Sequence, residues 1–261
     1  MMGQFASSDA RLEDSGVRGK SWLAAVRRST AINLVLGGTS SLRCSCLWCR
    51  WGESASLPSM VSIDVVTIGV ADMAAAERLH TEAFDVVDRV RSRVENAPTS
   101  GFRGFVLSLL VAQPTDVDTL IDRALGAGAT ILRPAKKSLW GYGGAVQGSD
   151  ATVWTVASSS KKNTGPATGE IDELILQLGV ADPAVSQRFY VDHGVKMTKS
   201  YGRRYVEFDT GPVKLTLNRR GELAKTAGVA AEGAAPHRLT IGSDAGSFVD
   251  PDGFIWEEAT R

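Results

Sequence analysis

Apolar and polar positions along residues 61–259 fall into blocks that recur in the same order. Ile63 to Val70 is β-branched and apolar enough for a buried strand. Asp72 is a natural N-cap, and Ala76, Leu79, His80 and Ala83 follow at i, i+3, i+4 and i+7, one face of a helix. Strands are expected at 86–91 and 102–111. A second helix is expected to begin near Thr115. It places Val117, Leu120, Ile121, Ala124 and Leu125 on one face and stops at Gly126 and Gly128. Further strands are expected at 131–133, 144–147 and 153–157. The segment 159–170, rich in Ser, Lys, Asn and Gly, offers no packing residues and reads as a linker.

The order then restarts. A strand at 174–180 leads to a helix with Asp182 as N-cap and Pro183 at its first position. Strands are expected at 196–201, 205–209, 213–217, 237–241 and 254–258, with weak helical character between 219 and 235. Gly69-Val70-Ala71-Asp72 followed by Arg78-Leu79-His80 returns as Gly179-Val180-Ala181-Asp182 followed by Arg188-Phe189-Tyr190. The ends match too: Asp150 to Trp154-Thr155 parallels Asp252 to Trp256-Glu257. So long a period suits a duplicated domain, not a solenoid. The expected units are 61–158 and 171–259, joined by 159–170.

Charge adds exclusions. The chain has 29 basic and 29 acidic residues among 261, so nothing favours nucleic acid or an anionic membrane as partner. No apolar stretch is long enough to span a membrane. The three cysteines are Cys44, Cys46 and Cys49, all outside the repeats, which suits a reducing cytoplasm. Residues 1–59 carry seven basic and four acidic residues, three of the six tryptophans and no sustained period. An export signal, a cysteine metal or redox site and a partner-binding tail compete there. The favoured reading is a disordered or non-native extension, with Met60 as the natural start.

The Val-x-Asp signal, the Arg-Phe-Tyr helix and the closing Asp250-Pro-Asp-Gly-Phe-Ile-Trp-Glu257 resemble the vicinal oxygen chelate superfamily. That superfamily includes glyoxalase I, bleomycin-resistance proteins and extradiol dioxygenases. The resemblance implies an α+β fold of tandem glyoxalase-like units, built from βαβββ modules whose curved mixed sheets enclose a cleft. In the enzymes it implies a divalent metal held by His and Glu residues, its charge stabilising an enediolate. Carried over by position, the ligand places fall on Val65, near Val106 and on Thr155 in the first unit. In the second they fall on Ile175, near Leu215, and on His237 and Glu257. Only His237 and Glu257 are metal-binding types, so the ligand set is incomplete. Glu207, Asp209 and Tyr205 are the nearby candidates for a further donor. His237 and Glu257 also read as an acid/base or hydrogen-bonding pair in a pocket; the favoured reading is a surface His after Pro236 and a solvated carboxylate at a strand end.

Lys136 to Gly144, with Trp140 and Tyr142 among glycines, reads as a loop lining a pocket mouth. Arg103, Arg203 and Arg204, near strand starts, read as solvated strand ends by default and as contacts to an anionic ligand otherwise, with Arg103 taken as the ligand-binding candidate. His80 reads as packing, and His193, before Gly194, as a helix C-cap. No nucleotide-binding glycine loop or nucleophile elbow occurs. The expectation is a protein that binds a small organic molecule, with no cofactor or a divalent ion, as a monomer more readily than a homodimer. A metal-dependent glyoxalase-like lyase or isomerase and a catalytically silent interaction protein are the alternatives.

Overall fold

The computed structural model describes residues 61–98, 100–234 and 236–259. The readings made for 1–59 lie outside these residues.

The chain opens with strand β1 (Ile63–Val70), helix α1 (Met73–Glu77) and a π-helical turn at Arg78–Ala83. Asp72 caps α1 by accepting from the Ala75 amide at 3.0 Å. Strand β2 (Val90–Val94) starts later than the apolar pattern suggests. Asp85 takes a left-handed conformation (φ 52°), and the Val86 amide donates to His80 O at 2.9 Å, so the chain is still turning there. The two-residue strand β3 (Ser100–Gly101) follows. Next come β4 (Phe105–Leu110), α2 (Pro114–Gly126), β5 (Thr130–Ser138), β6 (Gly141–Gln147) and β7 (Val153–Ser158).

The second half repeats that order as β8 (Glu173–Val180), α3 (Pro183–Asp192), β9 (Lys196–Ser200), β10 (Tyr205–Asp209) and β11 (Val213–Arg219). Helix α4 (Arg220–Ala227), β12 (Gly233–Ala234), β13 (Leu239–Ser243), β14 (Phe248–Val249) and β15 (Ile255–Glu258) complete the chain.

Among the described residues, thirteen of these strands form the two main sheets. One sheet has eight strands in the order β5-β6-β7-β4-β8-β11-β10-β9, and another has five in the order β14-β15-β13-β1-β2. In each half of the larger sheet the module's first strand lies parallel to its last, β4 to β7 and β8 to β11. The halves meet where β4 and β8 run antiparallel, and the smaller sheet has its own antiparallel seam, β1 with β13. Each sequence repeat thus contributes strands to both sheets. The βαβββ order is complete twice, in β4 to β7 and in β8 to β11.

At the β4–β8 seam the Gly179 amide donates to Gly104 O at 2.7 Å, and a Cβ on Gly179 would lie 2.9 Å from that oxygen. Only glycine allows the two backbones so close.

The inner faces of both sheets and the apolar faces of α1, α2 and α3 share one core. The two repeated tryptophans hold equivalent places in it. Trp154 packs on His80 and Phe84, with ring centroids 5.5 and 4.9 Å away, and Trp256 packs on Tyr190 and Phe248 at 5.3 and 5.1 Å. His80 is therefore a packing residue, with its Nδ1 3.2 Å from Ser92 Oγ. His193 caps α3, its Nδ1 lying 2.7 Å from Phe189 O.

The segment 159–170 has neither helix nor strand but is stitched to the start of α2. Gln113 Oε1 accepts from the Thr164 and Gly165 amides at 2.7 and 3.1 Å. Asp116 Oδ1 accepts from the Thr168 and Gly169 amides at 2.7 and 3.1 Å. Buried side-chain acceptors do there what packing residues do elsewhere.

Candidate functional site

Arg103 is only 2% exposed, and each of its N–H groups has an acceptor. Nε donates to His237 O at 3.0 Å. One terminal nitrogen donates to Asp150 Oδ2 at 2.9 Å and Thr152 Oγ1 at 2.8 Å. The other donates to Gly69 O at 3.1 Å and Arg238 O at 2.6 Å. A guanidinium offers five donors, so none remains for a ligand. Burial pulls its pKa below the ordinary value, and Asp150 opposes that. In place of the anion contact expected from sequence, Arg103 pins the ends of β1 and β13 to the loop before β7, and so one sheet to the other.

His237 precedes β13 instead of lying in it, because Arg238 is left-handed (φ 49°) and turns the chain. Its ring stacks on Phe254 with centroids 4.0 Å apart. Nδ1 lies 2.6 Å from Arg103 O, and Nε2 lies 3.0 Å from Asp252 O. Both nitrogens are thus aimed at carbonyl oxygens, and neither presents a lone pair to a metal. Glu257 is exposed on β15, across the ladder from Gly242. Among the described residues no group of three or more His, Cys, Asp or Glu side chains could hold a metal ion. The donor set does not fit the divalent ion that the resemblance implies.

The further donors suggested for that pair, Tyr205, Glu207 and Asp209, stand on β10 of the larger sheet, whereas Glu257 belongs to the smaller one. Crossing of the repeats between sheets separates them. Tyr142 lies on the α2 side of β6, where its hydroxyl donates to Asp118 Oδ1 at 2.7 Å. That bond and burial push its pKa up. Trp140 sits at the tip of a β5–β6 hairpin, not in an open loop. Gly141 (φ 152°) makes that hairpin possible, because a Cβ there would lie 2.0 Å from Ser158 O.

A cavity of about 170 Å³ lies on the face of the larger sheet opposite α2 and α3, over β8, β11, β10 and β9. Strand alternation builds it. Leu174, Leu176 and Leu178 of β8 enter the core, while Glu173, Ile175 and Gln177 take the other face. In the same way β11 gives Lys214 and Thr216, and β10 gives Tyr205, Glu207 and Asp209.

Lys199 Nζ donates to both Glu207 oxygens at 3.1 and 3.3 Å, and Tyr205 Oη donates to Glu207 Oε2 at 3.2 Å. Lys214 Nζ donates to Asp209 Oδ1 at 2.8 Å, which lowers the Asp209 pKa. Burial, reinforced by the Glu207 charge, pushes the Tyr205 phenol far up. Burial also raises the Glu173 carboxyl, with Lys214 opposing.

The same face continues under β4 and β7. Ser108 and Thr155 are ladder partners there, 0% and 7% exposed, and neither hydroxyl oxygen has a hydrogen-bond partner. On one side Leu223, Ala224 and Ala227 of α4 pack on Val106 and Val153. On the other, Leu110, Ala157 and Ile175 form a small apolar cluster. Ile175 is the β8 partner of Ser108 and also lines the cavity. The face thus offers charged, apolar and unsatisfied hydroxyl groups side by side. The sequence reading passed over Ser108, Gln177, Thr216 and Glu173; the signal for Thr216 was the alternation of polar and apolar residues in β11, and for Ser108 and Gln177 a lone polar residue within an apolar strand.

No protein-family model matches the sequence, and no curated protein matches it. Solved structures do. Glyoxalase I from Zea mays matches over 75% of this chain and 91% of its own, at 16% identity and a TM-score of 0.47. A glyoxalase-related enzyme from Fulvimarina pelagi is 25% identical and covers 37% of this chain and 87% of its own, with a TM-score of 0.33. A glyoxalase/bleomycin resistance protein/dioxygenase family enzyme from Burkholderia phytofirmans PsJN is 16% identical and covers 38% of this chain and 98% of its own, with a TM-score of 0.31.

Proposed function

We propose that the chain is a glyoxalase/bleomycin-resistance-like protein of the vicinal oxygen chelate superfamily. It binds a small organic molecule on the open face of the eight-stranded sheet, without a complete metal site of its own. Two observations support the family: the motifs at Gly179–Tyr190 and Asp250–Glu257, and the βαβββ order found twice.

The binding reading is carried by the unsatisfied hydroxyls of Ser108 and Thr155, buried in the sheet next to Ile175 of the cavity wall. A buried polar atom without a partner costs about 1–3 kcal/mol. A ligand that supplies the missing hydrogen bonds removes that cost and gains the apolar contact of Leu110, Ala157 and Ile175. The metal-dependent lyase reading has no comparable support, because His237 is committed to carbonyls and Glu257 stands apart from further donors. A reducing cytoplasm and a monomeric state complete the proposal, the first resting on a duplicated region free of cysteine.

A thermal-shift screen of small aromatic and polar compounds tests the reading. A ligand at 100 times its Kd stabilises by about 2.7 kcal/mol. For a chain of this size that raises Tm by roughly 5–10 °C. Thr216→Trp, which fills the cavity, should abolish the shift. A screen without stabilisers, or shifts indifferent to Thr216→Trp, would sink the proposal.

A further inference from the structure

We propose that the ligand on this face carries a protonated amine, held by Glu173 beside the ring of Tyr205. The inference rests on the ligand-binding reading above and specifies its chemistry.

The charges decide it. Three carboxylates and two ammonium groups line the cavity. Lys199 is engaged with Glu207 and Lys214 with Asp209. Glu173 is the remaining carboxylate, and among the described residues it makes neither an ion pair nor a side-chain hydrogen bond. It sits half-buried at the start of β8, next to Ile175 on the same face. A carboxylate partly withdrawn from water gains most from an opposite charge brought to it. A ligand anion would instead meet a lining in which carboxylates outnumber ammonium groups three to two. The Tyr205 ring, 6.0 Å from that of Tyr201, adds an aromatic surface of the kind that attracts organic cations.

A separate observation bears on the distal end: beyond Ile175 the cavity wall adjoins the buried, unsatisfied hydroxyls of Ser108 and Thr155. Leu110 is the β4 partner of Glu173, and Ser108 lies two residues further along β4. Strand spacing and rise place Ser108 about 8 Å from Glu173, and Thr155, one strand on, about 12 Å away. The Leu110–Ala157–Ile175 cluster lies between. An ammonium at Glu173, an apolar or aromatic middle and a hydroxyl or carbonyl at Ser108 and Thr155 describe an arylalkylamine with a polar far end.

Isothermal titration of the full chain with three probes of one shape tests this: tyramine, its neutral analogue 2-(4-hydroxyphenyl)ethanol, and 3-(4-hydroxyphenyl)propionate. Tyramine should bind saturably, the alcohol at least about tenfold more weakly, and the propionate more weakly still. Glu173→Gln should bring tyramine down to the level of the alcohol without lowering Tm, since the side chain supports no other group. Equal binding of amine and alcohol overturns the proposal, as does preference for the propionate or tyramine affinity unchanged in Glu173→Gln. If the alcohol or propionate binds and Thr216→Trp abolishes it, ligand binding stands and the amine assignment alone falls. If none of the three binds, the amine assignment is overturned, and the ligand-binding reading is then judged by its own screen.

Discussion

Replacing Arg103 by Met keeps the buried stem and removes the guanidinium. The loss is large because the group is almost wholly enclosed and spans two sheets. Its N–H groups satisfy the carbonyls of Gly69, His237 and Arg238, the Asp150 carboxylate and Thr152 Oγ1. Removing one partner of a buried ion pair costs about 3–5 kcal/mol, because the other charge is left unpaired. With two carbonyls at the start of β13 and one at the end of β1 also deprived, the upper part of that range is expected. For a chain of this length the shift in Tm is roughly 10–20 °C. Urea denaturation of the wild type, Arg103→Met, Asp150→Asn and the double variant separates the contributions. The double variant should recover part of the loss, since it removes the orphaned carboxylate. Arg103→Lys should recover little, because an ammonium cannot reach acceptors on three sides. A loss under about 1 kcal/mol in Arg103→Met would refute the clamp and reopen Arg103 as a ligand contact.

Thr155→Val and Ser108→Ala should leave the ligand-free protein unchanged or stabilise it by about 1–2 kcal/mol, while weakening bound ligand; a clear fall in Tm without ligand would show that the hydroxyls have a structural partner. Gly179→Ala should cost about 1–3 kcal/mol in denaturant titration, because its Cβ would press on Gly104 O, and a neutral result would mean the seam yields. Burial holds the His80 pKa below 6.5, so its stabilising contribution is complete above pH 6.5 and is lost as the pH falls through the folded value. Stability measured from pH 7 downward should decline by at most about 1.4 kcal/mol per pH unit from this group, less so in His80→Phe, and equal slopes would refute the assignment. Residues 61–158 alone lose the partners of β1 and β4, so they should self-associate in light scattering; a folded monomer would show that the seams are dispensable.

Strands and helices were legible where one physical signal dominated. The β-branched run of Ile63–Val70 and the alternation of Tyr205–Asp209 gave strands with the bounds expected of them. The Asp182-Pro183 start of α3 was equally plain, since cap and proline act within one turn. Errors came where conformation was set from outside the segment. Asp85 and Arg238 adopt left-handed φ values that neither side chain announces, and each moved a strand start by a few residues. The Lys136–Gly144 stretch looked like a loop because its glycines are indifferent to structure. Pairing with β7 makes it a strand, for Gly143 faces Ala157 and Gly144 faces Val156.

The candidate site was hidden for a different reason. Carrying the superfamily's ligand positions onto each repeat singled out His237 and Glu257, and reading the repeats against each other set Thr155 opposite Glu257. The cavity, however, lies over β8, β11, β10 and β9 of the second copy, and its surroundings are completed across copies, where β4 and β7 of the first adjoin β8. No comparison within a copy brings Thr155 and Ser108 into one row with Ile175 and Lys214. Only the antiparallel β4–β8 seam does so. The replacement of a ligand-type residue by Thr155 looked, in sequence, like simple loss of chemistry. In the fold Thr155 is half of a buried hydroxyl pair that no protein group satisfies. Val or Ala would fill the same space without the desolvation cost. The proposed ligand would remove that cost by completing both hydroxyls.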